Sequence, residues 1–331
     1  VTASTIVVTG AGGFIGGEVS RTLARQFGLT VRGGTRDGRE LAAGITPCRL
    51  DVCDQASITS ALRGADAVIH CAVGDRKTTV EGTRLMLQAA AAGGVRRLVY
   101  LSSIAVYGQA EGVVGESAAI VSPAGRGYAH WKVAAEAACR DAAHGGMQVI
   151  VLRPAIVYGP GSDLWVTKPA RRLLSGGWGA LGDVGSGICN LVHVRDVAAA
   201  CAAALQAPAS GDCAVFNISG RETITWSAWY ARLAEALGLP VLRKMSAASW
   251  RRRTIAALPF KVLARLRPDA GRLFERFTLL APAPSELKLF GLAATYPTDR
   301  AADIFGWRPH VGLAEGLAES VAWLKSVGLG R

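Results

Sequence analysis

The sequence predicts an α/β protein: a doubly wound parallel sheet with a smaller, mainly helical C-terminal lobe. Three observations lead there. Short aliphatic, often β-branched runs recur at Ile6–Thr9, Val31–Gly33, Asp66–His70, Leu98–Ser102 and Val149–Leu152. Helix-like segments lie between them, as where Val19, Leu23 and Phe27 stand four apart along one face. Proline and glycine breaks near Gly238–Pro240, Pro259, Pro268 and Pro282–Pro284 divide a largely helical last third. Strands that alternate with helices make a parallel sheet covered on both faces, so its strands read as unbroken apolar runs.

Length and composition fit. A chain of 331 residues makes two domains or one large α/β unit, and at 50% hydrophobic and 19% charged it is not disordered. No apolar run approaches the roughly 18–20 residues that span a bilayer, the best being Val197–Leu205. A strand so near the N-terminus leaves no leader pattern, and the expected location is the cytoplasm. The seven cysteines are scattered without CxxC spacing, which reads as reduced thiols and offers no metal site.

The first strand runs into Gly10-Ala11-Gly12-Gly13-Phe14-Ile15-Gly16 and then a helix. In this context the glycines form a dinucleotide-binding turn. Gly10 allows the sharp bend, Gly13 lets backbone approach a pyrophosphate, and Gly16 lets helix and strand pack closely. Residues 1–160 are thus a Rossmann-type domain, with 188–220 returning to it, and 161–187 with 221–331 form a substrate lobe over the carboxyl edge of the sheet. An NAD site usually offers an acid at the end of the second strand, near Thr35. Val31–Arg36 contains none. Arg36, supported by Arg32 or Arg39, would instead pair with a 2′-phosphate, so NADP is preferred over NAD.

Tyr128 and Lys132, four apart at the start of a helix, share one face. A phenol is a poor base at its ordinary pKa of about 10, and a neighbouring ammonium favours the phenolate. The strand at Leu98–Leu101 ends in Ser102-Ser103, followed by Ile104-Ala105-Val106-Tyr107-Gly108.

With these motifs the chain resembles an extended short-chain dehydrogenase/reductase of the NAD(P)-dependent epimerase/dehydratase group, which includes nucleotide-sugar enzymes. The likeness also takes in Asp51-Val52, His70-Cys71-Ala72, Leu152–Gly161, Leu191–Val197, Asn217–Gly220 and Gly306–Pro309. The resemblance implies Ser103 as the hydroxyl that bonds the reacting oxygen, Tyr128 as general acid/base and Lys132 as its electrostatic partner. Phe14 and Ile15 would lie in the cofactor turn, Asp51 and Val52 at the adenine, Ala72 and Val73 along the ribose, and Pro154 and Ile156 at the nicotinamide. A homodimer through Val80–Ala92 and Tyr128–Ala143 is also implied. Ser102 and Tyr107 read as strand-end packing, His193 as ordering a loop and Asp196 as the cap of the following helix.

Departures narrow the chemistry. Ile104-Ala105 stand where sugar dehydratases of this group carry an Asp–Glu pair, which disfavours dehydration and decarboxylation. Thr79 replaces an asparagine. The Arg-Pro-Gly-Asp element that holds the diphosphate in UDP-sugar epimerases has no counterpart near Lys288–Asp299. The resemblance therefore implies hydride transfer at a secondary alcohol or ketone, with a nucleotide-sugar epimerase or ketoreductase first. The alternative is an NADPH-dependent reductase of a hydrophobic ketone, like hydroxysteroid dehydrogenases or dihydroflavonol reductases. A dinucleotide-sensing scaffold is the non-enzyme alternative, weakened by the intact Ser103, Tyr128 and Lys132.

The net charge of +12 is uneven. Residues 1–150 hold 15 basic and 12 acidic side chains, whereas residues 243–276 hold ten and two. No nucleic-acid motif accompanies the basic segment. It reads as a solvated helix surface, as attraction for an anionic substrate through Arg253 or Lys261 beside Thr79 and Asn190, or as a basic amphipathic face over 250–267 meeting an anionic membrane.

Overall fold

The computed structural model describes residues 4–26, 29–143, 147–208, 213–266 and 277–330. Phe27, Pro268 and the 267–276 end of the basic segment lie outside them. Strands β1 (Thr5–Thr9), β2 (Thr30–Thr35), β3 (Ile45–Arg49), β4 (Ala67–His70), β5 (Arg97–Leu101), β6 (Gln148–Pro154) and β7 (Ala214–Ile218) form one parallel sheet. Its order is β7-β6-β5-β4-β1-β2-β3. The helices are α1 (Phe14–Gln26), α2 (Gln55–Ala61), α3 (Gly82–Ala92), α4 (Tyr128–Ala143), α5 (Lys168–Leu174), α6 (Val194–Gln206), α7 (Trp226–Ala236), α8 (Ala247–Leu266), α9 (Pro284–Gly291), α10 (Asp299–Phe305) and α11 (Leu313–Ser326).

The chain divides into two compact units: Val1–Ala155 with Val192–Gly220 and Tyr296–Val311, and Ile156–Leu191 with Arg221–Thr295 and Gly312–Arg331. The sheet and segment 192–220 share a unit. Residues 296–311 do not follow the expected boundary, because they pack on the sheet unit. Trp307 Nε1 donates to the Asp196 carbonyl (3.1 Å), and Tyr296 stacks on Tyr107 with ring centroids 5.6 Å apart.

In the first unit Val7, Val68, Leu98, Val149 and Val151 join Ile58, Met86, Leu87, Ala135 and Cys139 in one core, which sets α2, α3 and α4 on one face of the sheet. The alternate residues Ile6, Val8, Ile69 and Val99 are buried under α1 and α6 on the other. The order of the strands reverses between β1 and β4, so the crevice outside their carboxyl ends is where a sheet of this kind takes a ligand. Asp196 is not the cap of α6. His193 is, accepting from the Arg195 N–H, while the Asp196 carboxylate accepts from the backbone of His310 and Val311.

The second unit is built on aromatic residues: Trp178, Trp226, Trp229, Tyr230, Trp250 and Phe290 share one core. Arg172 is buried among them, its Cζ 4.3 Å from the Trp178 ring centre, donating to Tyr230 Oη (3.1 Å) and Glu286 Oε2 (3.0 Å). Burial alone would raise the Glu286 carboxyl. The Arg172 hydrogen bond and charge, helped by Lys168, bring it down to about 2. A carboxyl depressed on folding adds stability above its unfolded pKa of about 4.3 and loses it as pH falls toward the folded value. The stability gap between wild type and Glu286→Gln should therefore be about 3 kcal/mol near neutral pH. It should close as acid is added between about pH 4.5 and pH 2. Unfolding titrations across that window measure it, and a gap that stays constant would contradict the ion pair's role.

Candidate active site

The glycine turn follows β1. Gly10 has φ +66°, and a Cβ there would lie 3.2 Å from the Ala72 backbone. A Cβ on Gly16 would lie 2.3 Å from the Gly10 carbonyl, so no side chain fits between turn and helix. Gly12 and Gly13 are exposed at the start of α1, with Phe14 and Ile15 half-buried behind them. Exposed backbone at a helix N-terminus suits an anion, so these residues fit a dinucleotide pyrophosphate. Thr9 ties the turn to β4. Its hydroxyl accepts from the N–H groups of Cys71 (3.1 Å) and Ala72 (3.0 Å), which leaves its own proton for His70 Nδ1 (2.8 Å). His70 Nε2 then donates to Thr83 Oγ1 (3.0 Å), which donates to the Thr79 carbonyl (2.7 Å). Burial, and then the Lys132 charge, lower the imidazole to about 3, which keeps it neutral. Ala72 is thereby held beside Gly10, and Val73 is 52% exposed next to it.

At the end of β2 the three arginines separate. Arg36 is exposed. Arg39 Nη2 donates to the Gly12 carbonyl at the glycine turn (3.0 Å). Arg32 Nη1 turns away to the Arg63 carbonyl (2.6 Å). Asp51 Oδ1 accepts from the Cys53 N–H (2.9 Å), forming the turn that leads to α2, and Val52 beside it is buried.

Ser103, Tyr128 and Lys132 come together at the carboxyl edge of β5. Ser103 is in extended backbone, and its hydroxyl accepts from the Ala105 N–H (3.1 Å), starting the single turn Ile104–Tyr107. Tyr128 is the first residue of α4, and its phenol lies beside the Ser103 side chain. The residue stays 44% exposed, so a small molecule can reach its ring. Burial raises the phenol above its usual value, only partly offset by the neighbouring Ser103. One turn along, Lys132 is buried with Nζ donating to the Leu101 carbonyl, 5.9 Å from the Tyr128 ring centre. Burial lowers the ammonium to about 8, with nearby Cys71, Cys139 and Glu136 limiting the fall. Lys132 thus remains charged at neutral pH.

The polar network behind this cluster gave no sign in the sequence reading. Ser102 Oγ donates to Glu136 Oε1 (2.5 Å), and Arg153 donates to both Glu136 oxygens (3.0 and 2.7 Å). Arg153 Nη1 also reaches Tyr107 Oη (2.8 Å), which donates to Asn217 Oδ1 (2.7 Å). Ser102 and Tyr107 are therefore not mere strand-end packing. Glu136 lies four residues beyond Lys132 on the same face of α4, a spacing that could have flagged it.

Pro154 closes β6, and the next residue, Ala155, donates its N–H to the Ile218 carbonyl (2.8 Å). Ile156 is buried in the second unit. The side chains expected at the substrate each bond a backbone carbonyl. Thr79 is buried and bonds the Gly74 carbonyl (3.4 Å), and Asn190 Nδ2 donates to the Ala294 carbonyl (2.9 Å). Arg253 donates to the Gly177 carbonyl (2.7 Å) and Lys261 to that of Ala281 (2.6 Å). Among the described residues no cluster suits a metal ion, and no helix is long and apolar enough to cross a membrane.

The 2-alkyl-3-oxoalkanoate reductase of Stenotrophomonas maltophilia is 28% identical over 332 residues, covering 94% of this chain and 97% of that protein. Cinnamoyl-CoA reductase 1 of Petunia hybrida is 32% identical, covering 60% and 68%. Among solved structures, MoeE5 in complex with UDP-glucose and NAD superposes with a TM-score of 0.72 at 25% identity, covering 98% of this chain and 99% of that one. The sequence profile of the NAD dependent epimerase/dehydratase family matches residues 6–219. The glycine turn and the Ser103–Tyr128–Lys132 cluster both fall inside that stretch, and the chain belongs to this family of extended short-chain dehydrogenases/reductases.

Proposed function

We propose that the chain is an NADP-dependent reductase of a ketone bearing an apolar chain or ring. The observation that carries this reading is the Tyr128 phenol, beside Ser103 and one turn from the Lys132 ammonium, with burial keeping it protonated. Such a group is a proton donor for an oxygen on which negative charge develops. The nicotinamide, when bound, supplies the hydride. Ser103 orients and polarises the carbonyl oxygen, Tyr128 delivers its proton there, and Lys132 stabilises the phenolate that remains.

The phosphate preference is supported by Arg36, exposed where an NAD site offers an acid, and by Arg39 at the glycine turn. The substrate class is supported by the reductase that matches along nearly its whole length, and by the missing Arg-Pro-Gly-Asp element near Lys288–Asp299. The family takes in dehydratases as well, so membership leaves dehydration open. Ile104 and Ala105, which follow Ser103, hold no group able to remove water, which speaks against dehydration. One observation favours a second reading, a nucleotide-sugar epimerase: the superposition on MoeE5 with bound UDP-glucose spans both chains.

Cofactor consumption separates the two. Net NADPH oxidation with 2-alkyl-3-oxoalkanoates, hydroxysteroid-type ketones or flavonoids is expected. Epimerisation of UDP-glucose with no net change in cofactor would replace this reading with the second. Arg36→Ala should weaken NADPH binding by about 10–100-fold, the size of a lost charge-assisted hydrogen bond. NADH binding should hardly change, and equal losses would remove the NADP assignment.

A further inference from the structure

α8 is apolar on two sides, and only one of them is buried. Trp250, Thr254 and Ala257 face inward at 0, 4 and 3% exposure. Trp250 Nε1 donates to the Ala180 carbonyl (3.3 Å), and Thr254 Oγ1 to that of Pro282 (3.0 Å). Trp250 is thus an anchor and not part of an outer face. On a separate flank, about 120° around the helix, Ile255, Leu258, Val262 and Leu266 follow at steps of three, four and four, the spacing of a single helix face. They are 66, 40, 57 and 74% exposed. The outward face of a surface helix is ordinarily polar. Here large aliphatic side chains line about 16 Å of it.

Along α8 itself the charges are all of one sign. α8 contains no acidic residue in its 20 positions. Arg251 and Arg252 are exposed on it, as are Arg243 and Lys244 just before it. Arg253 and Lys261 take no part, since they bond backbone carbonyls of their own unit. We propose that this face of α8 docks on an anionic lipid surface. The aliphatic side chains enter the boundary between headgroups and acyl chains, and the exposed cations meet lipid phosphates. A second copy of the chain is a poorer occupant. Two such faces would bring arginines against arginines, with no carboxylate on either helix to offset them. The inference stands apart from the substrate reading and is tested without turnover.

The whole chain is sedimented with vesicles of phosphatidylcholine alone and of phosphatidylcholine mixed with phosphatidylglycerol. Retention is expected on the anionic vesicles at low salt, with loss at high salt and little binding to the neutral ones. A Leu258→Glu, Val262→Glu double variant changes only solvent-facing positions, so its circular dichroism and melting temperature should match wild type. Its partition onto anionic vesicles should fall at least about tenfold. No retention of wild type on anionic vesicles overturns the proposal. Unchanged retention of a folded double variant does so too. A dimer that the double variant dissociates, in a chain that vesicles do not retain, would assign the face to a second copy and reject the lipid surface.

Discussion

Tyr128→Phe should lower turnover by about 10²–10⁴-fold, the usual worth of a positioned acid, and leave NADPH affinity nearly unchanged. The substitution removes one oxygen at the start of α4 and touches neither the glycine turn nor the arginines after β2. Stability should move little, since Tyr128 is 44% exposed and its ring is kept. The same cluster predicts the pH dependence of reduction. The phenol, raised above its usual value by burial, stays protonated through the neutral range. Lys132, brought down to about 8, is the group that titrates first. Because the charged ammonium is the form that favours the phenolate product, kcat/KM should decline as pH rises past about 8. Lys132→Arg keeps a cation whose pKa lies far higher and should remove that limb if any activity survives. A Tyr128→Phe enzyme with normal turnover would reject the mechanism. Loss of NADPH binding in that variant would move Tyr128 from chemistry to cofactor binding.

What was legible in the sequence was local. Ile6–Thr9 and Val149–Leu152 are buried on both faces, so they appear as unbroken apolar runs. β3 does not: at the sheet edge only Ile45 of Ile45–Arg49 is fully buried, and Pro47 interrupts it. The glycine turn and the Tyr128–Lys132 pair were readable because their parts lie within one turn of chain. The network behind them was not. Glu136 meets Arg153 at a separation of 17 residues, and Tyr107 meets Asn217 at 110. Only the pairing of β5 with β6 brings Ser102 and Arg153 side by side. The carbonyl bonds of Arg253 and Lys261 were illegible for a similar reason. Charge counts locate a basic segment, but they do not say which side chains the fold uses to hold its own carbonyls.

Glu136→Ala is expected to have the largest effect on stability, about 3–5 kcal/mol. Its carboxylate is fully buried, and Arg153 is 3% exposed. Removing the carboxylate leaves a guanidinium in the interior with Tyr107 Oη and the Glu116 carbonyl as its remaining partners. Neither carries a charge to balance it. The cost is that of an uncompensated buried cation, larger than the net worth of the pair. Two further variants separate these quantities. Arg153→Met strands the carboxylate instead, which Arg140 Nη1 approaches only to 3.8 Å. The Glu136→Leu, Arg153→Met double variant removes both charges and fills a similar volume, so it should recover much of the loss. Urea unfolding measures all three, provided that the slope with denaturant is unchanged. If Glu136→Ala cost less than about 1 kcal/mol, the network would be no more than a surface-grade pair. The catalytic consequence follows from position. Ser102 is tied to Glu136 and precedes Ser103, while Lys132 lies one turn before Glu136 on α4. In variants that still fold, kcat should therefore fall more than substrate KM rises. Glu136→Gln, which keeps an acceptor for Ser102, should restore more turnover than Glu136→Ala. Equal turnover in these two variants would make the network a matter of stability alone, without a part in holding Ser103 against Tyr128.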